Sequence, residues 1–327
     1  SLVGSGGENV GLMIDTGEEV RLQTWNIPSR ASCIICHTPQ AGHALSFHTR
    51  QLNRDGTLEG TSGNLINLLH GSGYLDTLPG SPASLPRHVA PDETDYSLEA
   101  RVRSYLAVNC AYCHQDPGTA LPSAWEGNHH LTLDETGIIN GIALAGTQNP
   151  ADRLIVPGNP DRSVILNRVA ATNGYTRMPA LATNELDEAG IQLLTAWINQ
   201  EATDLTNYAA WRLVNFSSAS SAEGEPEFDA DGDGVSNNDE WVALTDPNDS
   251  TAFPKTSLTI TGGNIEIEIP ARINRGVVVE RSSNMLDWFP WNVPGNDGIP
   301  RNPSGSSTLS GAAQGEQEFF RLKIEER

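Results

Sequence analysis

Apolar residues recur at helical spacing in front of a pair of cysteines. Leu98, Val102, Leu106, Cys110 and Cys113 follow one another at intervals of four, four, four and three residues, which places them on one face of a helix. The pattern therefore predicts a helix that leads into the two cysteines and packs its apolar face against a core.

Two more helices are predicted further along the chain. Leu194, Trp197 and Ile198 mark an amphipathic helix, which Asn184 and the acids that follow it would open. A shorter helix is predicted over residues 163–170, after a turn rich in Pro and Gly. We expect the helix before Cys110 and the helix around Trp197 to pack against each other as the frame of this region.

The C-terminal region follows a different period. From residue 256 to residue 327, apolar and polar side chains alternate in short runs separated by Gly, Asn and Pro, which predicts a small antiparallel β-sandwich. The alternating apolar positions are Leu258, Ile260, Ile265, Ile267, Ile269, Val277, Val279, Phe320, Leu322 and Ile324. Residues 40–90 are rich in Gly, Pro, Ser and Asn, so they predict loops with one short helix around residues 65–70.

Acidic side chains dominate the charge of the chain. Its 327 residues include 41 acids and 20 bases, a formal net charge of −21. Because like charges repel, this balance argues against nucleic acid and anionic membranes as partners. No run approaches the ~18 apolar residues of a membrane span, and the first residues do not resemble a secretory signal. The chain is therefore expected to be cytosolic or to be a mature form whose signal has been cleaved.

All four cysteines belong to two C-x-x-C-H motifs, the attachment signature of c-type haem. The motif residues are Cys33, Cys36 and His37 in the first, and Cys110, Cys113 and His114 in the second. Two thiols on one helical turn can add to the two vinyl groups of a porphyrin, and the adjacent histidine then points at the iron. The sequence predicts two covalent haems and an extracytoplasmic location, periplasmic or extracellular, where such attachment takes place.

Other uses of the cysteines fit less well. A four-cysteine zinc site usually has its two pairs about 15–20 residues apart, whereas residues 37–109, 73 residues in all, separate these pairs. Zinc also gives no reason for a histidine after each pair. Thioredoxin-like pairs would need a βαβ context, and disulfides within each pair would close loops too short to stabilise the fold much.

The sixth iron ligands are predicted from the methionine and histidine side chains that lie outside the two motifs. Met178, before Pro179 in an extended loop between two predicted helices, is expected to bind the second haem iron, which would raise its potential relative to two histidines. For the first haem we expect His70. The other candidates are His48, His43, His88, Met13, the pair His129 and His130, and a ligand from a neighbouring subunit.

An acidic stretch contains a calcium-loop pattern. Residues 223–255 hold ten acids and one base, a net charge of −9. Oxygen ligands at alternating positions, a glycine for the bend and a glutamate at position 12 suit a large, hard cation. The predicted ligands are Asp229, Asp231, Asp233, the carbonyl of Val235, and Glu240. The alternative is a solvated acidic linker, and without a flanking helix pair a structural role is expected rather than a sensor role.

Several segments resemble a family of bacterial dihaem cytochrome c domains found in planctomycetes and verrucomicrobia. The resemblance covers about residues 22–200 and is carried by WNIPSR at 25–30, QLNR at 51–54, YLAVNCAYCH at 105–114, RMP at 177–179 and Trp197-Ile198. It implies electron transfer, often from a sugar-dehydrogenase-like β-propeller, which this sequence lacks. Residues 229–249 are similar to a thrombospondin type 3-like calcium repeat, and residues 279–288 to C-terminal β modules of secreted verrucomicrobial proteins.

Together these features predict a multidomain chain. A mainly α, loop-rich, cytochrome c-like dihaem region is expected over residues 1–90 and 91–220, a calcium-binding linker over 221–255, and the all-β sandwich over 256–327. The expected function is single-electron transfer by a secreted protein rather than an enzyme. Its expected partners are redox proteins, among them a dehydrogenase donor. The alternatives are a dihaem peroxidase-like enzyme with one open iron, and a self-assembling subunit of an electron-conducting filament.

Overall fold

The chain folds into two compact units. Unit 1 comprises residues 1–51 and 102–203, and unit 2 comprises residues 52–101 and 204–327. The computed structural model describes residues 3–78, 80–120, 125–145, 147–171, 174–181, 183–205, 207–305, 307–315 and 317–327. Both C-x-x-C-H motifs belong to unit 1, whereas the acidic loop and the alternating C-terminal region belong to unit 2.

Short helices and short strands contribute almost equally to the described structure. The helices are α1 (Arg30–Cys33), α2 (Thr49–Leu52), α3 (Leu65–Gly71), α4 (Leu98–Asn109), α5 (Val164–Val169), α6 (Glu188–Gln200), α7 (Tyr208–Phe216) and α8 (Asn237–Ala243). The strands are β1 (Glu8–Asp15), β2 (Val20–Ile27), β3 (Asp55–Leu58), β4 (Thr61–Asn64), β5 (Leu258–Thr261), β6 (Asn264–Ile269), β7 (Arg275–Ser282), β8 (Phe289–Pro290), β9 (Ser307–Ala312) and β10 (Phe319–Glu326).

The prediction of a mainly α, cytochrome c-like dihaem region is wrong. Helices account for 24% of the structure and strands, in small sheets, for 21%. Of the described helices, only α4, α6 and α7 are longer than seven residues. The chain contains 31 glycines and 20 prolines. Glycine raises the entropy cost of a helix and proline removes a backbone donor, so long helical runs are rare.

Unit 1 begins with a β-hairpin that the sequence reasoning missed. Strands β1 and β2 pair antiparallel from Glu8 opposite Ile27 to Asp15 opposite Val20. The signal for it is an alternation of apolar residues before a turn in which the Gly17 amide donates to Asp15 Oδ1 over 2.8 Å. Most side chains of the hairpin are exposed, which weakens the contrast between its two faces.

Helices α4, α5 and α6 form the core of unit 1, where the periodic segments predict them. Leu194, Trp197 and Ile198 of α6 have no measurable exposure, and neither has Val102 of α4. The two helices approach closely at Gly190, since a Cβ there would lie 2.5 Å from the Tyr105 ring. Helix α6 begins after Asp187, whose side chain accepts from the Gly190 amide, so the helix is capped by this acid and not by Asn184.

A buried carboxylate organises the loops beside α5. Asp152 is 2% exposed and accepts hydrogen bonds from the Tyr175 hydroxyl over 2.6 Å and from the amides of Gln148 and Asn149 over 2.8 and 2.9 Å. Burial by itself would raise the pKa of this carboxyl, but the hydrogen bonds outweigh burial and lower it. The carboxylate therefore stabilises the fold at neutral pH.

Replacing Asp152 with asparagine is expected to reduce the free energy of unfolding by about 2–4 kcal/mol. The NH2 group of asparagine cannot accept the hydrogen bonds that the carboxylate accepts from the Tyr175 hydroxyl and the two backbone amides. The folded pKa of Asp152 is below its ordinary value of 3.8. Its stabilisation is therefore present above pH 3.8 and is lost as the pH falls through the folded pKa. Denaturant unfolding between pH 2.5 and 7 should show that, as the pH falls, the free energy of unfolding decreases more steeply in the original protein than in Asp152→Asn. Asp161→Asn, an exposed neighbour, should behave like the original protein, and equal losses in both variants would contradict this role.

The C-terminal part of unit 2 consists of two three-stranded antiparallel sheets. Their strand orders are β5-β6-β9 and β10-β7-β8. Inward positions of both sheets share one apolar core, made by Ile265, Ile267, Ile269, Val277, Val279, Trp291 and Leu309. Burial alternates along β6, as a strand with one face on a core requires. Four of the six strands coincide with the alternating segments of the sequence, and β8 and β9 are additional.

The acidic segment of unit 2 is folded rather than extended. The Asn237 side-chain amide donates to the carbonyls of Glu223 and Glu225 over 2.8 and 2.9 Å. Arg212 of α7 donates to the Ser221 carbonyl over 2.7 Å and to Glu225 over 2.9 Å. These bonds hold the stretch that composition predicts to be a linker against α7 and α8. The domain boundaries expected at residues 90, 220 and 255 remain predictions.

Candidate functional site

Unit 1 places the two C-x-x-C-H motifs side by side. The Sγ atoms of Cys36 and Cys113, 77 residues apart in sequence, are 3.6 Å apart. The Ile35 carbonyl of the first motif accepts from Cys113 Sγ over 3.5 Å and from the Thr119 hydroxyl over 2.6 Å. Tyr112, inside the second motif, donates to Gln51 Oε1 over 3.0 Å. The residues around both motifs therefore form one continuous site.

Each motif is wound as a single helical turn. The His37 amide donates to the Cys33 carbonyl over 3.0 Å, and the His114 amide donates to the Cys110 carbonyl over 2.9 Å. The first motif continues α1, which Ser29 caps by accepting from the Ser32 amide. The second motif continues α4. This winding carries two thiols and a histidine on one compact turn, the arrangement that a covalent haem requires.

Hydrogen bonding defines the tautomer of His37. Its Nδ1 lies 2.5 Å from the carbonyl oxygen of His43. A carbonyl only accepts, so Nδ1 donates to it, and Nε2 is the ring nitrogen left to bind a ligand. Metal-binding histidines commonly donate their other ring N–H to a carbonyl in this way, which orients the ring toward the metal.

The first motif contains exposed apolar side chains. Ile34 and Ile35, between its two cysteines, are 66% and 44% exposed, and Cys33 and His37 are exposed as well. Phe47, ten residues after His37 in the sequence, is 55% exposed. The first motif is therefore open to a ligand that would cover these apolar side chains.

The second motif is more enclosed. The His114 ring stacks on Trp125 with a centroid distance of 4.4 Å. Burial lowers the pKa of His114 to about 4, with a smaller contribution from the positive charge of Arg168. The imidazole is therefore neutral at physiological pH, the form in which histidine binds iron. Trp125 has no motif to mark it, so sequence reasoning does not assign it to this site.

Met178 is linked to the same region through Arg168. The Met178 amide donates to the Arg168 carbonyl over 3.0 Å, at the end of α5. The following loop is held by the Thr183 hydroxyl, which donates to the Pro179 carbonyl over 3.0 Å, and by the Arg177 guanidinium, which donates to the Thr183 carbonyl. The methionine therefore lies in a loop that these hydrogen bonds anchor. Arg168, which accepts from its amide, is also the residue whose positive charge helps to lower the pKa of His114.

Two of the four thiols have raised pKa values. Burial, with the neighbouring thiols contributing less, raises the pKa of Cys36 to about 11 and that of Cys110 to about 12. Reactive and zinc-binding cysteines are thiolates, so Cys36 and Cys110 do not have the lowered pKa of a reactive cysteine. Among the described residues, three His, Cys, Asp or Glu side chains converge within 4.8 Å only at the aspartates of the acidic loop. The four cysteines do not form one tetrahedral zinc site.

The candidate ligands for the first iron are divided between the units. His70 is exposed at the end of α3 and belongs to unit 2, whereas the first motif belongs to unit 1. His88 is also in unit 2. His43, His48 and Met13 are in unit 1. The carbonyl oxygen of His43 already lies 2.5 Å from Nδ1 of His37. The assignment of His70 stays a prediction.

The acidic loop of unit 2 brings three carboxylates together. Oxygen atoms of Asp229, Asp231 and Asp233 lie within 4.8 Å of one another. The loop is shaped by its own backbone: Asp229 accepts from the amide of Gly232 over 2.8 Å and from that of Gly234 over 2.9 Å. Gly234 has φ +94°, a conformation that other residues rarely adopt.

Glu240 supplies a second, independent sign of a cation. It is 1% exposed, and its Oε2 has no hydrogen-bond partner in the described structure, like the buried Oδ2 of Asp231. Burial first, and then the charges of Asp231 and Asp233, raise the pKa of Glu240 to about 7. Buried carboxylate oxygens are normally paired or bound to metal, so the loop fits a divalent cation. The role of the Val235 carbonyl stays a prediction.

Comparison with family models, with curated proteins and with solved structures gives no match for this chain. None of the described helices is both long and apolar enough to cross a bilayer. The chemistry of the two sites therefore rests on the side chains and distances given above.

Proposed function

We propose that the protein carries two covalently bound haems on its C-x-x-C-H motifs and transfers single electrons between them and external redox proteins. The observation that carries this proposal is the 3.6 Å contact between Cys36 and Cys113. The two motifs would therefore hold their haems next to each other. Electron transfer slows steeply with distance, so this closeness favours a relay within one molecule.

The residues of each motif would do different work in this relay. Cys33 and Cys36 would form the thioethers of the first haem, and Cys110 and Cys113 those of the second. His37, with its proton held on Nδ1 by the His43 carbonyl, would offer Nε2 to the first iron. Each bound haem would supply a site that accepts and releases one electron.

The second site would be the more enclosed of the two. His114, neutral and stacked on Trp125, and Met178 would be the residues that hold the second haem iron. A methionine ligand favours the reduced iron and raises the potential. The first site, where Ile34 and Ile35 are exposed, is proposed to be the one at which a haem is accessible to solvent and partners.

The acidic loop is proposed to bind calcium. The three clustered aspartates, together with the buried and unpartnered oxygens of Glu240 and Asp231, support a resident cation. Helix α8 begins within the loop and contacts the sandwich, because Arg275 of β7 donates to the carbonyls of Trp241 and Val242 over 3.1 and 2.9 Å. The cation would therefore stabilise unit 2 rather than take part in electron transfer.

The charge of the protein indicates the kind of partner. A net charge of −21 would steer a basic redox protein toward this chain and repel an acidic one. An extracytoplasmic location and a dehydrogenase donor are part of this proposal. Partner association should weaken as salt is added.

The decisive test is the intact mass of the purified protein. Produced in a host that attaches c-type haem, the protein should have the mass of the polypeptide plus two haems. The Cys110→Ala/Cys113→Ala variant should retain one haem, and replacing all four cysteines should leave none. A mass equal to that of the bare polypeptide would refute the proposal.

Spectra separate electron transfer from catalysis. Two low-spin haems that do not bind cyanide are expected for an electron carrier. A high-spin haem that binds cyanide or peroxide rapidly would instead favour the peroxidase-like alternative. That alternative is kept because the first iron has several candidate sixth ligands, His70 among them, and none of them is assigned by an observed contact.

A further inference from the structure

The C-terminal sandwich has a polar cleft that the electron-transfer proposal does not use. It has a volume of about 620 Å³ and lies between the end of β7, strand β8 and the turn before β10. That volume is within the range of small-molecule sites, about 300–1,000 Å³. The lining is dominated by uncharged amides and hydroxyls, with Asn284, Asn292, Gln314 and Gln317 among them.

A partly buried ion pair lies in the wall of this cleft, where the Arg281 side chain is 31% exposed. The Glu318 side chain is 10% exposed, and its Oε1 lies 3.5 Å from Arg281 Nη1 and accepts from the Gln314 amide over 3.2 Å. Oε2 of the same carboxylate is buried and has no partner among the described residues. A buried carboxylate oxygen without a donor is costly, and a ligand with a hydroxyl group would satisfy it.

An exposed aromatic ring stands beside the ion pair. Phe289 lines the cleft, is 67% exposed, and is the register partner of Arg281 across β7 and β8. A ring at the edge of a polar cleft can stack on the C–H face of a ligand whose hydroxyl groups point into the cleft.

The combination selects one class of ligand. Amides and Arg281 offer donors, the free oxygen of Glu318 offers an acceptor, and Phe289 offers an apolar face. An anion would be repelled, because the carboxylates of Glu318 and Asp287 outnumber the guanidinium of Arg281 in the lining. A neutral polyol satisfies all of these groups, because each hydroxyl both donates and accepts.

We propose that this cleft binds a neutral saccharide, with Phe289 as the stacking platform and the Glu318 and Arg281 pair as the polar anchor. The site is independent of the haems and goes beyond the electron-transfer function. A saccharide-binding sandwich would hold the protein on a polysaccharide surface. The covalent attachment of haem in unit 1 is not required for it.

The test is calorimetric titration of the full-length holoprotein with five probes. These are tetrasaccharides of glucose, mannose, xylose, galactose and N-acetylglucosamine. Saturable binding of at least one probe is expected. Phe289→Ala and Glu318→Gln should each weaken that binding by about tenfold.

Matched variants control for general effects of mutation. Phe253→Ala removes another exposed phenylalanine, which is 61% exposed and outside the cleft, and Glu266→Gln neutralises an exposed acid of β6. Both should bind like the original protein. The inference is overturned if none of the five probes binds, or if binding survives unchanged in Phe289→Ala and Glu318→Gln. Haem content, measured by mass, is expected to be the same in all variants, so failure here leaves the electron-transfer proposal untouched.

Discussion

Replacing Met178 with alanine is expected to lower the reduction potential of the second haem by on the order of 0.1 V. Axial ligands set haem potentials over a range of ~0.8 V. The alanine variant lacks the side-chain sulfur of Met178, which is the proposed ligand that favours reduced iron. The Met178 backbone is held by the Arg168 carbonyl, so alanine should leave the loop in place. Potentiometric titration of the dihaem protein, followed optically, would resolve the two haems.

Met285→Ala is the matched control for this experiment. Met285 is 59% exposed in the C-terminal sandwich and is remote in sequence from both motifs. Its replacement should leave both potentials unchanged. If Met178→Ala retained two haems with unaltered potentials, Met178 would not be an iron ligand.

Removing calcium is expected to lower the thermal midpoint of unit 2 by about 5–10 °C. A ligand present at one hundred times its dissociation constant contributes about 2.7 kcal/mol to stability, and each kcal/mol corresponds to about 2–4 °C for a unit of this size. Without a cation, the carboxylates of the loop repel one another and Glu240 stays buried without a partner for Oε2. Scanning calorimetry with added calcium and with a chelator measures the difference.

Glu240→Gln should abolish the calcium response, because the buried ligand charge is lost. Glu227→Gln is its control, since it makes the same charge change at an exposed acid of the same segment, outside the loop. That variant should respond to calcium like the original protein. Equal midpoints with calcium and with chelator in the original protein would mean that the loop is only an acidic turn.

Helical and strand periodicity in the sequence was informative wherever one face of an element is buried. Helix α6 was predictable because Leu194, Trp197 and Ile198 recur at helical spacing and are fully buried. Strand β6 was predictable for the same reason at period two. The N-terminal hairpin was not predictable, because the side chains on both of its faces are largely exposed and the two faces differ little in hydrophobicity.

The candidate site was predictable only in part. The motif residues are adjacent in sequence, so their chemistry is visible at once. The approach of Cys36 to Cys113 is a tertiary contact that no local pattern encodes. Trp125 and Glu318 were missed because their roles come from a stacked ring and from an unpaired oxygen, which only packing reveals. The expected predominance of helix failed because a cytochrome-like motif constrains one turn and not the whole chain.

The proximity of Cys36 and Cys113 also bears on the biosynthesis of the protein. Before haem is attached, two thiols 3.6 Å apart need only a small movement to form a disulfide across the motifs. Such a bond would remove one thiol from each motif and block both attachments at once. Under the proposed function, the chain would have to stay reduced until the first haem is attached, because a single oxidation would block both motifs.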